Sequence, residues 1–110
     1  MGATRRQRVC FLMHLRPERV QDYLAAHARV WPEMLQALEE AGWSNYSLFL
    51  RESEGLVVGY LETEDFERAK AEMARSEVNA RWQETMAPFF AKPENPDASL
   101  DVLTEYFHLA

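Results

Sequence analysis

The sequence predicts an α+β domain in which helices cover one face of a four-stranded antiparallel sheet. Segments rich in strand-forming residues alternate with segments that repeat every three or four positions, the spacings typical of strands and amphipathic helices. The resulting order is β-α-β-β-α-β. With 110 residues, 47% of them hydrophobic, the chain is long enough for one hydrophobic core and too short for two. We therefore expect a single domain over residues 1–110, with residues 1–6 mobile.

The first part of the chain predicts one strand and a broken helix. Residues 7–15 are rich in strand formers, and Pro17 favours an extended residue before it and a helix after it. Pro32 interrupts the helical pattern, so we expect a break near residues 28–31 and a second helical piece that ends at Gly42. One helical face collects residues at steps of three and four: Val20, Tyr23, Leu24, His27, Val30, Trp31, Met34, Leu35 and Leu38.

The middle of the chain predicts a hairpin. Residues 43–51 and 55–62 are two strand-like segments separated by only three residues. Gly55 readily takes the left-handed conformation that closes such a turn. We expect these two strands to pair side by side.

The last part predicts two helices, a loop and a fourth strand. Residues 63–65 offer a capping side chain and acids for a first helical turn, and a second helical stretch runs from Ser76 to Met86. Residues 92–97 hold two prolines and form a loop, and residues 101–109 read as a strand. The predicted buried positions of the two helices are Phe66, Ala69 and Met73, then Val78, Trp82 and Met86.

This order of elements is that of a ferredoxin-like domain. Its four-stranded sheet leaves one face and two edges that so short a chain cannot cover. We therefore predict a homodimer in which two sheets pack face to face.

Charge and cysteine content exclude several classes of protein. The chain has 12 basic and 18 acidic residues, a net charge of −6, which is unsuited to a nucleic-acid partner because phosphates require a basic surface. The apolar runs are too short to span a bilayer, and no secretory signal is recognisable. With Cys10 as the lone cysteine, we expect a cytoplasmic protein.

Cofactor motifs are missing from the sequence. Three histidines and one cysteine show no spacing typical of a metal site. With only four glycines, no phosphate-binding loop is recognisable, so no nucleotide cofactor is expected. Any chemistry is therefore predicted to come from the side chains alone.

Tyr23, His27 and Trp31 are the leading candidates for a site. They follow one another at four-residue steps, which aligns them on one helical face if the helix stays regular. An imidazole, a hydroxyl and a flat indole suit a neutral sugar, because the first transfers protons and the last stacks on the C–H face of the ring. The alternative is that His27 is a hydrogen-bonded residue at the edge of the core.

Other polar and aromatic residues extend the candidate set. Tyr46 lies in a polar strand segment, and Trp82 has polar neighbours that include Gln83. His14 and His108 lie near the ends of the first and last predicted strands, which are sheet neighbours in this topology. Both imidazoles could extend a site, although edge or surface positions fit them better.

The segment His27-Ala-Arg-Val-Trp31-Pro32-Glu33 resembles the L-rhamnose mutarotase family, whose pattern is roughly Tyr-x-x-x-His-x-x-x-Trp-Pro-Glu. Residues from about 8 to 110 follow the family's element order. Further matches occur at Asn45-Tyr46-Ser47-Leu48, Arg81-Trp82, Asn95-Pro96-Asp97 and Phe107-His108-Leu109.

The resemblance implies a dimeric α/β barrel that interconverts the anomers of L-rhamnose or a related 6-deoxy sugar, L-fucose included, without a cofactor. It assigns proton transfer to His27 and sugar binding to Tyr23, Tyr46 and Trp82. Gln83 stands where the family has a second tryptophan. Because an amide offers donors and acceptors in place of an apolar plate, we expect Gln83 to bond a sugar hydroxyl.

The same barrel architecture also serves other functions. Cofactor-free monooxygenases need an aromatic-substrate pocket, and haem-degrading proteins need a haem-ligating histidine, which His27 could supply. A regulatory domain that binds a small ligand is a third alternative.

Overall fold

The computed structural model describes residues 6–91 and 100–110, and the residues outside these two ranges are not described. Helices and strands follow the predicted order. The strands are β1 (Gln7–His14), β2 (Ser44–Arg51), β3 (Leu56–Thr63) and β4 (Asp101–Val102). The helices are α1 (Val20–His27), α2 (Pro32–Glu40), α3 (Phe66–Ala74) and α4 (Glu77–Met86), with short 3-10 turns at Pro17–Arg19, Glu52–Glu54 and Ala87–Phe89.

The four strands form one antiparallel sheet in the order β2-β3-β1-β4. The hairpin of β2 and β3 closes at Gly55, whose φ of 65° is left-handed as predicted. β3 then pairs along the whole of β1, from Gln7 opposite Thr63 to His14 opposite Leu56. The observed order and antiparallel pairing confirm the ferredoxin-like fold.

The helices cover one face of the sheet, and the core lies between the two layers. Phe11 in β1 illustrates the packing, since its ring lies against the backbone of Gly59 in β3. A Cβ at Gly59 would come within 2.3 Å of that ring, so only glycine fits there. The buried core comprises Val9, Phe11, Leu15, Val20, Tyr23, Met34, Trp43, Val57, Leu61, Phe66, Ala69, Met73, Trp82, Met86 and Phe90.

Local signals set the ends of the helices as predicted. α1 ends at His27, and Trp31 takes an extended conformation (ψ 134°) that directs Pro32 into the first turn of α2. The Asp65 side chain caps α3 by accepting from the backbone N–H of Arg68. The Ser76 hydroxyl caps α4 in the same way, from Asn79.

The prediction of a fourth strand over residues 101–109 is wrong in its extent. Only Asp101 and Val102 belong to the sheet, opposite Leu12 and Phe11, and the Leu103 N–H donates to the Cys10 carbonyl at 2.8 Å. We call residues 103–110 the C-terminal arm. Its apolar side chains lie largely in water and not against the core, since Tyr106, Phe107 and Leu109 are 94%, 73% and 81% exposed.

The face of the sheet opposite the helices, here the outer face, carries an apolar row. Phe49, Val58 and Leu12 are aligned across three strands by the pairing register, and paired residues share one face of a sheet. Phe49 is 62% exposed. The predicted loop at residues 92–97 and most of the predicted mobile N-terminus lie outside the described residues.

Candidate functional site

A cavity of about 270 Å³ opens between the sheet and helices α1, α2 and α4. It shares part of its lining with a smaller cavity of about 50 Å³ that reaches toward β1. Ligand pockets in proteins usually start at about 300 Å³, so the larger cavity suits a monosaccharide-sized ligand. Both cavities are lined by His27, Trp43, Tyr46, Leu48, Trp82 and Gln83.

His27 is the last residue of α1 and lies half-buried in the cavity wall. Its Nδ1 lies 3.2 Å from the Tyr23 carbonyl oxygen. Since a carbonyl only accepts, Nδ1 carries the proton and donates it, which leaves Nε2 with a lone pair. Burial lowers the pKa of His27, and the hydrogen bond to Tyr23 offsets part of that effect. The imidazole is therefore a neutral base near pH 7.

Tyr23 lies one turn before His27 and is 4% exposed. Its ring contacts the imidazole with a centroid separation of 4.2 Å. Within residues 6–91 and 100–110, its hydroxyl has no hydrogen-bond partner. Burial raises the pKa of Tyr23 to about 12, so the hydroxyl keeps its proton. A buried, unpaired donor of this kind costs about 1–3 kcal/mol, which a ligand in the smaller cavity would recover.

Trp82 on α4 forms the floor of the site. Its indole meets the His27 ring edge to face at 5.4 Å and the Trp31 ring in the same manner at 5.0 Å. Trp31 is absent from the lining of both cavities. The helix is interrupted at residues 28–31, which moves Trp31 off the α1 face. Its ring therefore packs against Trp82 and does not line either cavity. The predicted alignment of Tyr23, His27 and Trp31 holds only for the first two.

Tyr46 and Gln83 complete the polar part of the lining. Tyr46 projects from β2 on the helix-covered face and packs its ring against Trp43 at 5.1 Å. The Gln83 amide donates from Nε2 to Asn79 Oδ1 at 3.0 Å. Asn79 is 3% exposed and lines the larger cavity. The sequence pattern did not point to Asn79, because an asparagine inside a helix is usually exposed. Its position three residues after the Ser76 cap was the available signal.

The chain matches the family model for L-rhamnose mutarotase over residues 8–109. An L-rhamnose mutarotase from Listeria monocytogenes serotype 4b is 37% identical over 105 residues, covering 94% of this chain and 99% of that protein. The chain belongs to the L-rhamnose mutarotase family. The predicted family and its classification among the isomerases are thereby confirmed.

Solved structures agree with this assignment to the L-rhamnose mutarotase family. The crystal structure of an L-rhamnose mutarotase from Formosa agariphila superposes with a TM-score of 0.79 at 28% identity, covering 94% of this chain and 99% of that one. A putative antibiotic biosynthesis monooxygenase from Nitrosomonas europaea superposes with a TM-score of 0.63 at 12% identity, covering 94% and 90%. The second likeness shows the shared fold alone.

Two histidines of this mutarotase-family chain lie away from the cavity and from each other. His14 is exposed at the end of β1 that pairs with Leu56. His108 is in the C-terminal arm, where its Nδ1 lies 3.9 Å from Glu105, and Glu105 in turn accepts from Arg8 at the start of β1. Antiparallel pairing thus places the two imidazoles at opposite ends of β1, and the edge or surface positions favoured for both of them are observed.

The part of the chain that the structure describes contains no cluster of three potential metal-ligating side chains. None of its helices is both long and apolar enough to cross a bilayer.

Proposed function

We propose that this protein interconverts the α and β anomers of L-rhamnose or a closely related 6-deoxy sugar by proton transfer through His27. The observation that carries the proposal is a neutral imidazole in the wall of a monosaccharide-sized cavity, with its tautomer fixed by the Tyr23 carbonyl. Membership of the L-rhamnose mutarotase family supports it.

His27 is assigned both proton transfers of ring opening. Nε2 takes the proton of the anomeric hydroxyl, the bond from the anomeric carbon to the ring oxygen breaks, and the imidazolium gives the proton to that oxygen. Rotation of the open-chain aldehyde and the reverse steps close the ring as the other anomer. A group that titrates near neutral pH serves both directions, whereas a tyrosine with a pKa of about 12 is a poor acid.

Tyr23, Tyr46 and Trp82 are assigned to sugar binding. The unpaired Tyr23 hydroxyl is a donor for a sugar oxygen in the smaller cavity. Trp82 offers an apolar plate for the C–H face of the ring. Trp31 is assigned a supporting role, because it contacts Trp82 and not the cavities.

The apolar part of the larger cavity's lining supports a 6-deoxy substrate. It comes mainly from α2 and comprises Val30, Met34, Leu35, Leu38 and Met73. A methyl group gains free energy on leaving water in such surroundings, whereas a hydroxymethyl group would be left without a hydrogen-bond partner.

A homodimer is part of the proposal. The outer face carries the row of Phe49, Val58 and Leu12, of which Phe49 is exposed and the other two are partly exposed, and the C-terminal arm exposes Tyr106, Phe107 and Leu109. A second copy packed on the outer face would bury this apolar surface, which a single chain leaves in water. A monomer mass by sedimentation equilibrium at micromolar concentration would contradict the homodimer.

A cytoplasmic location completes the proposal, since Cys10 is a free thiol and a reducing compartment keeps such a thiol reduced. Thiol labelling of intact cells and lysates tests it: labelling confined to lysates is expected, and labelling of intact cells by an impermeant reagent would contradict it.

Exchange NMR on a panel of 6-deoxy sugars tests the catalytic proposal. Catalytic amounts of protein are expected to accelerate magnetisation exchange between the two anomeric protons of L-rhamnose. Exchange at the buffer rate for every sugar in the panel would overturn the proposal. Haem titration is the accompanying check on the alternative haem-degrading function, and a Soret band that is lost in His27→Gln would favour it.

A further inference from the structure

Asn79 joins the end of α3 to the cavity wall. Its side chain is almost completely buried, at 3% exposure. Its Nδ2 donates to the backbone carbonyl of Met73 at 3.0 Å, near the C-terminal end of α3, and its Oδ1 accepts from Gln83 Nε2 at 3.0 Å. A buried amide with partners at both ends is held in one orientation.

The two bonds determine which way both amides face. Amide orientation is normally ambiguous because oxygen and nitrogen are alike in size. Here the Met73 carbonyl can only accept, so the Asn79 nitrogen faces it and the Asn79 oxygen faces Gln83. That oxygen can also only accept, so Gln83 must turn its NH₂ group toward Asn79. The Gln83 carbonyl oxygen, Oε1, is thereby left for a ligand in the cavities that Gln83 lines.

We propose that Asn79 is a positioning residue that fixes Gln83 as a hydrogen-bond acceptor for one hydroxyl of the bound sugar. The proposal rests on the proposed function and extends it to substrate choice. An indole at position 83 has a single N–H donor and no acceptor, so it could not accept a hydrogen bond from a hydroxyl. Gln83 therefore selects neutral monosaccharides that present a free hydroxyl at this point of the ring.

Binding of L-rhamnose and of analogues that each lack one ring hydroxyl tests the proposal. Dissociation constants are measured by titration, so the result does not depend on catalysis. The wild-type protein is expected to bind the analogue that lacks the hydroxyl facing Gln83 about 5- to 10-fold more weakly than L-rhamnose, the usual effect of one neutral hydrogen bond. This ratio of dissociation constants is the discrimination assigned to Gln83. Equal affinity for L-rhamnose and all analogues would overturn the proposal.

A double-mutant cycle separates positioning from a structural role. Asn79→Leu and Gln83→Leu are each expected to abolish the discrimination, and Asn79→Leu is expected to change it no further when Gln83 is already leucine. If Asn79→Leu lowers the melting temperature but keeps the wild-type discrimination, Asn79 is merely structural and the proposal is wrong.

Asn79→Ala is the substitute where Asn79→Leu does not fold, because alanine favours the helix and removes the same two hydrogen bonds. Its expected result is the same loss of discrimination, and retained discrimination again overturns the proposal. Intact discrimination in a wild-type protein that catalyses no anomer exchange would contradict the catalytic function and support the role of Asn79 in binding.

Discussion

On the helix-covered face of the sheet, Phe11, Val57 and Leu61 are at most 1% exposed, whereas Phe49 on the outer face keeps 62% of its surface in water. The helix-covered face also holds both cavities and the histidine with the lowered pKa. The chain thus holds the candidate site on one side of the sheet and leaves apolar surface exposed on the other side. Chemistry and assembly are therefore expected to respond to different substitutions.

The largest expected effect is on the helix-covered face, for His27→Gln. Removing the base is expected to slow anomer exchange by about 100- to 10,000-fold, with the sedimentation mass unchanged. Exchange NMR measures the rate. His14→Gln is the matched control, because His14 is exposed at a strand end and its loss is expected to leave the rate unaltered; a comparable fall in both variants would remove the special role of His27.

The outer face gives the next effect, for Val58→Asp. A carboxylate in the middle of the apolar row would be buried without a partner in the homodimer, at a cost of about 3–5 kcal/mol, which weakens association by about 100-fold or more. Sedimentation equilibrium is expected to show the mass falling toward that of the monomer. Glu33→Gln, an exposed change on α2, is expected to leave the mass as it is. A Val58→Asp protein that keeps the wild-type mass would place the interface elsewhere.

Gly59→Ala tests the packing under the site. The added Cβ would collide with the Phe11 ring, and overpacking of this kind costs about 1–3 kcal/mol of unfolding free energy. Denaturant unfolding followed by tryptophan fluorescence measures it. Ser53→Ala in the exposed hairpin turn is expected to stay within about 0.5 kcal/mol of wild type, and an equally small change for Gly59→Ala would show that the Phe11 ring moves away freely.

The smallest effect is the pH dependence of His27. Burial lowers its pKa in the folded protein, so the unfolded chain binds a proton at about pH 6.5 while the folded chain does not. Stability is therefore expected to decline as the pH falls below that value, until the lowered folded-state pKa is reached. kcat/KM is expected to fall through the same lowered pKa and to be level at higher pH.

His27→Gln provides the control for that dependence. This variant is expected to lose the stability slope, which one proton limits to about 1.4 kcal/mol per pH unit. Unfolding at a series of pH values measures it. An unchanged slope in His27→Gln would assign the titration to other groups.

Much of the fold and part of the candidate site could be predicted from patterns among residues close together in the chain. Pro32 and Gly55 act on their own backbone dihedrals, and the break before α2 and the turn of the hairpin were both predicted. Tyr23 and His27 are one helical turn apart, so their contact follows from helix geometry alone.

Features that depend on distant partners were the ones missed. The strand-forming residues at 101–109 indicate a strand, but pairing needs a neighbour, and of these residues only Asp101 and Val102 pair with β1. Asn79 is buried because the Met73 carbonyl, across the turn between α3 and α4, and Gln83 satisfy its amide, and its spacing from Ser76 does not by itself predict this.

The hydrogen bond from His27 Nδ1 to the Tyr23 carbonyl also lies in the last turn of α1. Helix ends open more readily than the core around them, and opening this turn would release the imidazole to exchange tautomers. Warming is therefore expected to abolish anomer exchange reversibly at temperatures below the melting temperature of the tertiary structure. The stability of the last turn of α1 then sets the upper temperature limit of the activity.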